Sequence, residues 1–107
     1  MKTNVKDPDK KDDQKPKKNP QYSIILFNDD DHTGVYVVEL LVKVYRHQLK
    51  KAIELTNNID QKGQSLVWVG SKELGELKIE QTKNFGNDPY GENLVKYPMI
   101  CSLEPLS

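Results

Sequence analysis

Residues 28–32 read Asn-Asp-Asp-Asp-His, which places an amide, three carboxylates and an imidazole in five consecutive positions. Such groups can hold a divalent cation, move a proton, or accept hydrogen bonds from a cationic ligand. The spacing is poor for a metal. It lacks the alternating ligands and closing Glu of a calcium loop, Gly34 comes too late for the sharp turn, and there is no HExxH. The plainest use is a turn leading into a helix N-cap, because Asn and Asp favour turns and acids are stabilised at a helix N-terminus. A further use is capture of an ammonium group. A peptide α-ammonium carries three donors and no acceptor, so it needs several oxygens in one place. An apolar pocket supplied by the following helix would then read the first side chain as well.

Little else in the sequence suggests chemistry. There is no GxSxG and no Walker loop, and the single cysteine, Cys101, lies in an apolar run where it reads as a small hydrophobe. Glu73 and Glu76 read as a solvated helix face, and His47 as a solvated or capping histidine at a helix junction. We read the chain as a non-enzyme with no cofactor and no metal. The competing catalytic reading is a metal-dependent enzyme using Asp29, Asp30, His32 and Asp60.

The elements that would carry the acidic turn are short. Tyr22–Phe27 is a continuous, β-branched apolar run that reads as a buried strand ending at the turn. Thr33 or a neighbouring Asp can cap a helix whose apolar positions recur at Val37, Val38, Leu41, Val42, Val44 and Tyr45. A second helical stripe runs Leu49, Ala52, Ile53, Thr56 and Ile59, with Gly63 placed to end it in a left-handed C-cap. Leu66–Val69 reads as a strand. Ser71 then caps a third helix, which carries Leu74, Leu77 and Gln81 on one side and ends at Gly86. Residues 87–96 are rich in Asn, Asp, Pro and Gly and read as a loop, after which Met99–Leu103 reads as a third strand. The order β-α-α-β-α-β in so short a chain implies an α+β sandwich with the helices on one face of a small sheet.

The 107 residues carry 16 Lys+Arg against 16 Asp+Glu, a formal net charge of zero. Residues 1–20 hold seven Lys and four Asp, for +3, which leaves −3 on the rest. That segment has no aromatic residue and too little apolar surface to offset the entropy of ordering it, so it is expected to be a flexible extension. Residues 21–107 are expected to form one small domain. The start lacks the apolar stretch of a secretory signal, and no run is long enough to span a membrane. A neutral chain whose basic part is its tail is a poor nucleic-acid binder. Together these features point to a cytoplasmic protein with no nucleic-acid or membrane partner.

The string IILFNDDDHTGVYVVELLVKVY, followed by Ala52, Gly63, ELGELKIEQ and PMICSLEP, resembles the Clp protease adaptor family ClpS, colinearly from about Tyr22 to Glu104. The resemblance implies a three-stranded antiparallel sheet with three helices and an adaptor rather than an enzyme. Members bind proteins whose exposed N-terminal residue is Leu, Phe, Tyr or Trp. They deliver them by docking on the N-terminal domain of the Hsp100 ATPase, ClpA, and the N-terminal extension takes part in delivery. Carried onto this chain, Asn28 and Asp29 fall at positions that accept the substrate α-ammonium. Val37, Ile59 and Met99 fall at apolar pocket positions, and Glu73 and Lys78 on the face presented to the ATPase.

The departures from the family pattern concern the pocket. The histidine that completes the amine site falls on Asp60, the turn and gate residues Thr and Met fall on His32 and Gly34, and another pocket methionine falls on Thr56. Asp30 belongs to the same rim, and the 87–96 loop is longer than usual. A carboxylate of reference pKa ~3.9 keeps accepting hydrogen bonds where an imidazole of ~6.5 protonates, so amine capture should persist to lower pH than in members with the histidine. An alternative reading is a diverged regulator that docks on the ATPase without reading N-termini.

Overall fold

The computed structural model describes residues 20–106. The expected extension over residues 1–20 therefore lies, apart from Pro20, outside the described residues. The sheet is built around strand β1, Gln21–Phe27, with β2 (Gln64–Ser71) on one side and β3 (Cys101–Pro105) on the other, both antiparallel to it. A central strand satisfies its backbone on both edges, which suits the apolar run: Ile24 and Leu26 are fully buried. The register shifts between Ile24, opposite Trp68, and Ile25, opposite Leu66, so Val67 is the extra residue of a bulge. The bulge lets Val67 and Trp68, neighbours in sequence, both join the core. The third strand starts two residues later than expected. Met99 precedes it as a buried core residue, and Phe27 N–H donates to the Ile100 carbonyl at 3.0 Å.

Helix α1 spans Gly34–Lys43, and Thr33 caps it by accepting the Tyr36 N–H on Oγ1 at 3.2 Å. It packs on α2, Leu49–Lys62, which ends as expected at Gly63 in a left-handed conformation, φ 86°. Between the helices Arg46 takes φ 64°, and His47 turns inward. His47 Nε2 meets the Val67 carbonyl at 2.6 Å, which ties the helix junction to β2.

Helix α3, Lys72–Lys83, is capped by Ser71, whose Oγ accepts the Leu74 N–H at 3.2 Å, and it contacts all three strands. The side it turns to the sheet is Gly75, Ile79 and Thr82, a stripe of i+4 and i+3 steps. Leu74 and Leu77, which the sequence groups with Gln81, are more than half exposed. Gly75 explains the choice of face. A Cβ there would stand 2.6 Å from Leu103 Cδ1 and 3.2 Å from Trp68 Cζ3, so a larger residue would have to displace the Leu103 side chain from the helix–sheet contact. The helix closes at Asn84 rather than at Gly86, which instead adopts φ 111° in the connection that follows.

The segment 87–96 is a loop with one fixed point. Asp88 and Val95 exchange both backbone hydrogen bonds, at 2.9 and 3.0 Å, and Asp88 is fully buried. Its carboxylate accepts the Thr33 N–H at 2.7 Å, the Thr33 hydroxyl at 3.3 Å and the Tyr90 N–H at 3.0 Å. The loop is thereby bolted to the N-terminus of α1, where an anion is favoured.

Candidate functional site

The acidic turn sits where β1 hands over to α1. Asn28, exposed at the strand end, donates its backbone N–H to the Gly63 carbonyl at 2.9 Å, so the turn is held beside the C-terminus of α2. A cavity of about 260 Å³ opens between these elements. Val37 and Ile59, both buried, supply apolar surface from α1 and α2, with Thr56 and Asn57 beside them. Asn28, His32, Gly34 and Asp60 complete the lining. Seven residues singled out in the sequence thus meet in one place: Asn28, His32, Gly34, Val37, Thr56, Ile59 and Asp60.

Asp29, Asp30 and Met99 are not on that lining. Asp29 folds back on its own turn. Its Oδ1 accepts the backbone N–H groups of Asp31 and His32 at 2.9 and 2.8 Å, and its Oδ2 faces His32 Nδ1 at 2.7 Å. Burial pushes the Asp29 carboxyl upward, but the hydrogen bonds from His32 and Asp31 outweigh it and hold the group below the usual carboxylate range. Asp30, with Asp31, borders a separate recess of about 510 Å³ beneath the loop from Gly91 to Tyr97.

His32 is fixed on every side. Its Nε2 lies 2.9 Å from the Tyr97 carbonyl, its ring stacks on Tyr36 at 5.0 Å, and the Tyr97 ring meets it edge-on at 5.1 Å. Both ring nitrogens therefore face acceptors. The ring is thereby held in place from both edges, by the Asp29 carboxylate and the Tyr97 carbonyl. The catalytic metal reading needs these same groups as ligands. Asp29 is instead spent on N–H donors, and among the described residues no three His, Cys, Asp or Glu side chains converge as a metal would require.

Three contributors escape a reading of the sequence. Asp88 looks like one more loop Asp before Pro89, yet it anchors the loop to the α1 cap. Tyr97 looks like the approach to a strand, yet its carbonyl and ring hold His32, and its hydroxyl donates to Asp31. That bond and the nearby acids push the Tyr97 phenol up to about 12. Asn57 sits between two helical stripe positions and carries no signal of its own.

On α3, Glu73 is exposed in the first turn. Lys78 is half-buried, and its Nζ donates to the Val44 carbonyl at 2.6 Å, closing the C-terminal end of α1. Beside it, Leu74, Leu77 and Phe85 border a recess of about 470 Å³ that Lys43, Val44 and Arg46 complete from the end of α1.

A sandwich of this size, with a cavity lined by buried apolar side chains and by amide and carboxylate groups, is a small binding module. The family model described as ATP-dependent Clp protease adaptor protein ClpS matches residues 17–95, and the chain belongs to that family. Its members are adaptors of the Clp protease rather than enzymes. The chain is 40% identical over 68 residues to the ATP-dependent Clp protease adapter protein ClpS of Thermosynechococcus vestitus, covering 63% of this chain and 72% of that protein. It is 30% identical over 95 residues to the corresponding adapter of Pectobacterium carotovorum, covering 87% of this chain and 84% of that one. Among solved structures, Agrobacterium tumefaciens ClpS2 bound to L-phenylalaninamide superposes with a TM-score of 0.69 over 82% of this chain and 99% of that one, at 22% identity. That likeness concerns the fold, which agrees with the three helices and three-stranded antiparallel sheet expected from the sequence. No helix among the described residues is long and apolar enough to cross a membrane.

Proposed function

We infer that this adaptor captures the free N-terminal residue of proteins beginning with a bulky hydrophobic side chain, Leu, Phe, Tyr or Trp, and delivers them to a Clp protease. The observation that carries the reading is the cavity that Asn28 and Asp60 line together with the buried apolar side chains of Val37 and Ile59. The side-chain oxygens of Asn28 and Asp60 can accept from an α-ammonium while the first side chain leaves water against Val37 and Ile59. Asp29 acts through His32 in this scheme, as a positioning residue for the turn rather than as a direct acceptor. The L-phenylalaninamide bound to the Agrobacterium relative has a free amine and an aromatic side chain, the ligand chemistry this cavity suits.

Delivery requires docking on the ATPase. The outer side of α3, with Glu73 and the exposed Leu74 and Leu77 beside Lys78, is the surface we assign to the N-terminal domain of a ClpA-like Hsp100 partner. The extension over residues 1–20 is the proposed delivery arm, joined to the domain at β1.

Fluorescence anisotropy with peptides beginning in Leu, Phe, Tyr or Trp, each compared with its N-acetylated form, tests the capture. Acetylation removes charge-assisted hydrogen bonds and should weaken binding about ten- to hundredfold. Equal binding of the two forms would leave the docking regulator that does not read N-termini as the better account.

A further inference from the structure

Gly34, the first residue of α1, stands at the boundary of two recesses. One is the candidate cavity. The other is a groove of about 430 Å³ between α1 and α2, lined by Val35 and Val38 from the first helix and Ile53 from the second. Gly34, Thr56 and Asn57 line both. Val35 is 58% exposed and Ile53 45%, so the groove presents β-branched apolar surface to water. Gly34 contributes no side chain to the wall that the two recesses share. A Cβ there would stand 3.9 Å from Thr56 Cγ2, an ordinary contact, so the position has room for a larger residue beside the shared wall.

We propose that this groove seats the side chain of the second residue of the bound polypeptide, so that substrates are selected for an apolar second residue as well as for the first. The proposal rests on N-terminal capture by the adjoining cavity. Its occupant follows from continuity. Successive Cα atoms are ~3.8 Å apart, so a chain whose first side chain lies on Val37 and Ile59 brings its second within reach of a recess that shares three lining residues. Asn57, exposed at the shared wall, offers both a donor and an acceptor to the peptide unit joining residues one and two. Glu39 at the groove's edge makes an acidic second residue unfavourable.

The test uses two C-terminally labelled peptides that differ only in the second residue, Phe-Leu and Phe-Ser, titrated against the full chain, Ile53→Ser and Gly34→Met. Ile53 lines the groove but not the cavity, and its exposed helical position tolerates Ser without unfolding. Partial burial of the Leu side chain should make Phe-Leu bind about three- to tenfold more tightly than Phe-Ser. Either substitution should bring that ratio below about twofold. A ratio near one in the unsubstituted chain, with both peptides still needing a free amine, would overturn the groove and leave N-terminal capture standing. If Ile53→Ser weakens both peptides equally, the groove holds the first side chain and the proposal is wrong. If acetylation changes neither peptide's binding, both readings fail together.

Discussion

Asp29 and His32 close on each other across one turn: the carboxylate accepts the His32 backbone N–H on one oxygen and faces the imidazole Nδ1 with the other, at 2.8 and 2.7 Å. The pair is what presents His32 to the cavity between β1, α1 and α2, with the Tyr97 carbonyl gripping the opposite ring nitrogen.

The first consequence concerns pH. The carboxyl of Asp29 is held below its unfolded value, so the stability it contributes is present above the ordinary carboxylate range and is lost as pH falls through the lowered folded value. Asp29→Asn should therefore be less stable than the parent at pH 7, and its stability should fall less steeply between pH 5 and 3. Urea unfolding at intervals across that window checks this. Parallel curves would mean that the pair contributes nothing to folding.

Peptide affinity, by contrast, should survive mild acidification. In the proposed capture, Asp60 offers a carboxylate to the ammonium where relatives are expected to carry a histidine. With Asn28 and Asp60 as the proposed acceptors, affinity for a Phe-initiated peptide should change by less than about threefold from pH 8 to 5. A steep loss centred near pH ~6.5 would show that an imidazole accepts the ammonium after all.

Asp88 is expected to be a stability residue. It is fully buried and holds the Thr33 cap to the loop, so Asp88→Ala leaves the Thr33 and Tyr90 N–H groups without an acceptor. The loss should be on the order of 3 kcal/mol. Asp88→Asn, which keeps an acceptor but not the charge, should cost less. Chemical denaturation of the two variants separates them, and a loss below about 1 kcal/mol for Ala would refute the anchoring role.

Glu73 and Lys78 should differ in kind. Glu73→Lys alters only the exposed start of α3, so it should weaken binding to the ATPase N-terminal domain and lower stability by no more than about 0.5 kcal/mol, the effect of losing a first-turn acid. Lys78→Ala also removes the bond to the Val44 carbonyl, so it should lower stability by about 1 kcal/mol as well as weaken docking. Calorimetry against the isolated ATPase domain, paired with thermal melts, distinguishes these outcomes. Full docking by Glu73→Lys would move the interface elsewhere.

How much of this is legible in the sequence depends on how local the cause is. Thr33, Ser71 and Gly63 announce themselves because caps are made by residues within a turn of the helix they close, and each does so here. The cavity lining is legible through resemblance and helical spacing together, since Val37, Thr56 and Ile59 fall on stripes that face the helix interface. The inward side of α3 is not. Leu74 and Leu77 are the more apolar pair, yet the sheet takes Gly75, because distance of approach decides that contact and the sequence does not display distance. Asp88 and Tyr97 escape for the same reason, as their partners Thr33 and His32 lie 55 and 65 positions away. The orientation of Asp29 is hidden because the carboxylate could serve a ligand or its own turn equally well, and only the geometry shows His32 occupying it.

In the proposed function, the cavity between Asn28, Val37, Ile59 and Asp60 receives a free amine and the side chain attached to it. Titrating the isotopically labelled chain with phenylalaninamide, and separately with its N-acetylated form, locates the ligand directly by NMR. Saturating shift changes at the backbone amides of Asn28, His32, Val37, Ile59 and Asp60, seen with the free amine and absent with the acetylated compound, are the predicted result. Identical responses to the two compounds, or shifts confined to α3, would contradict it.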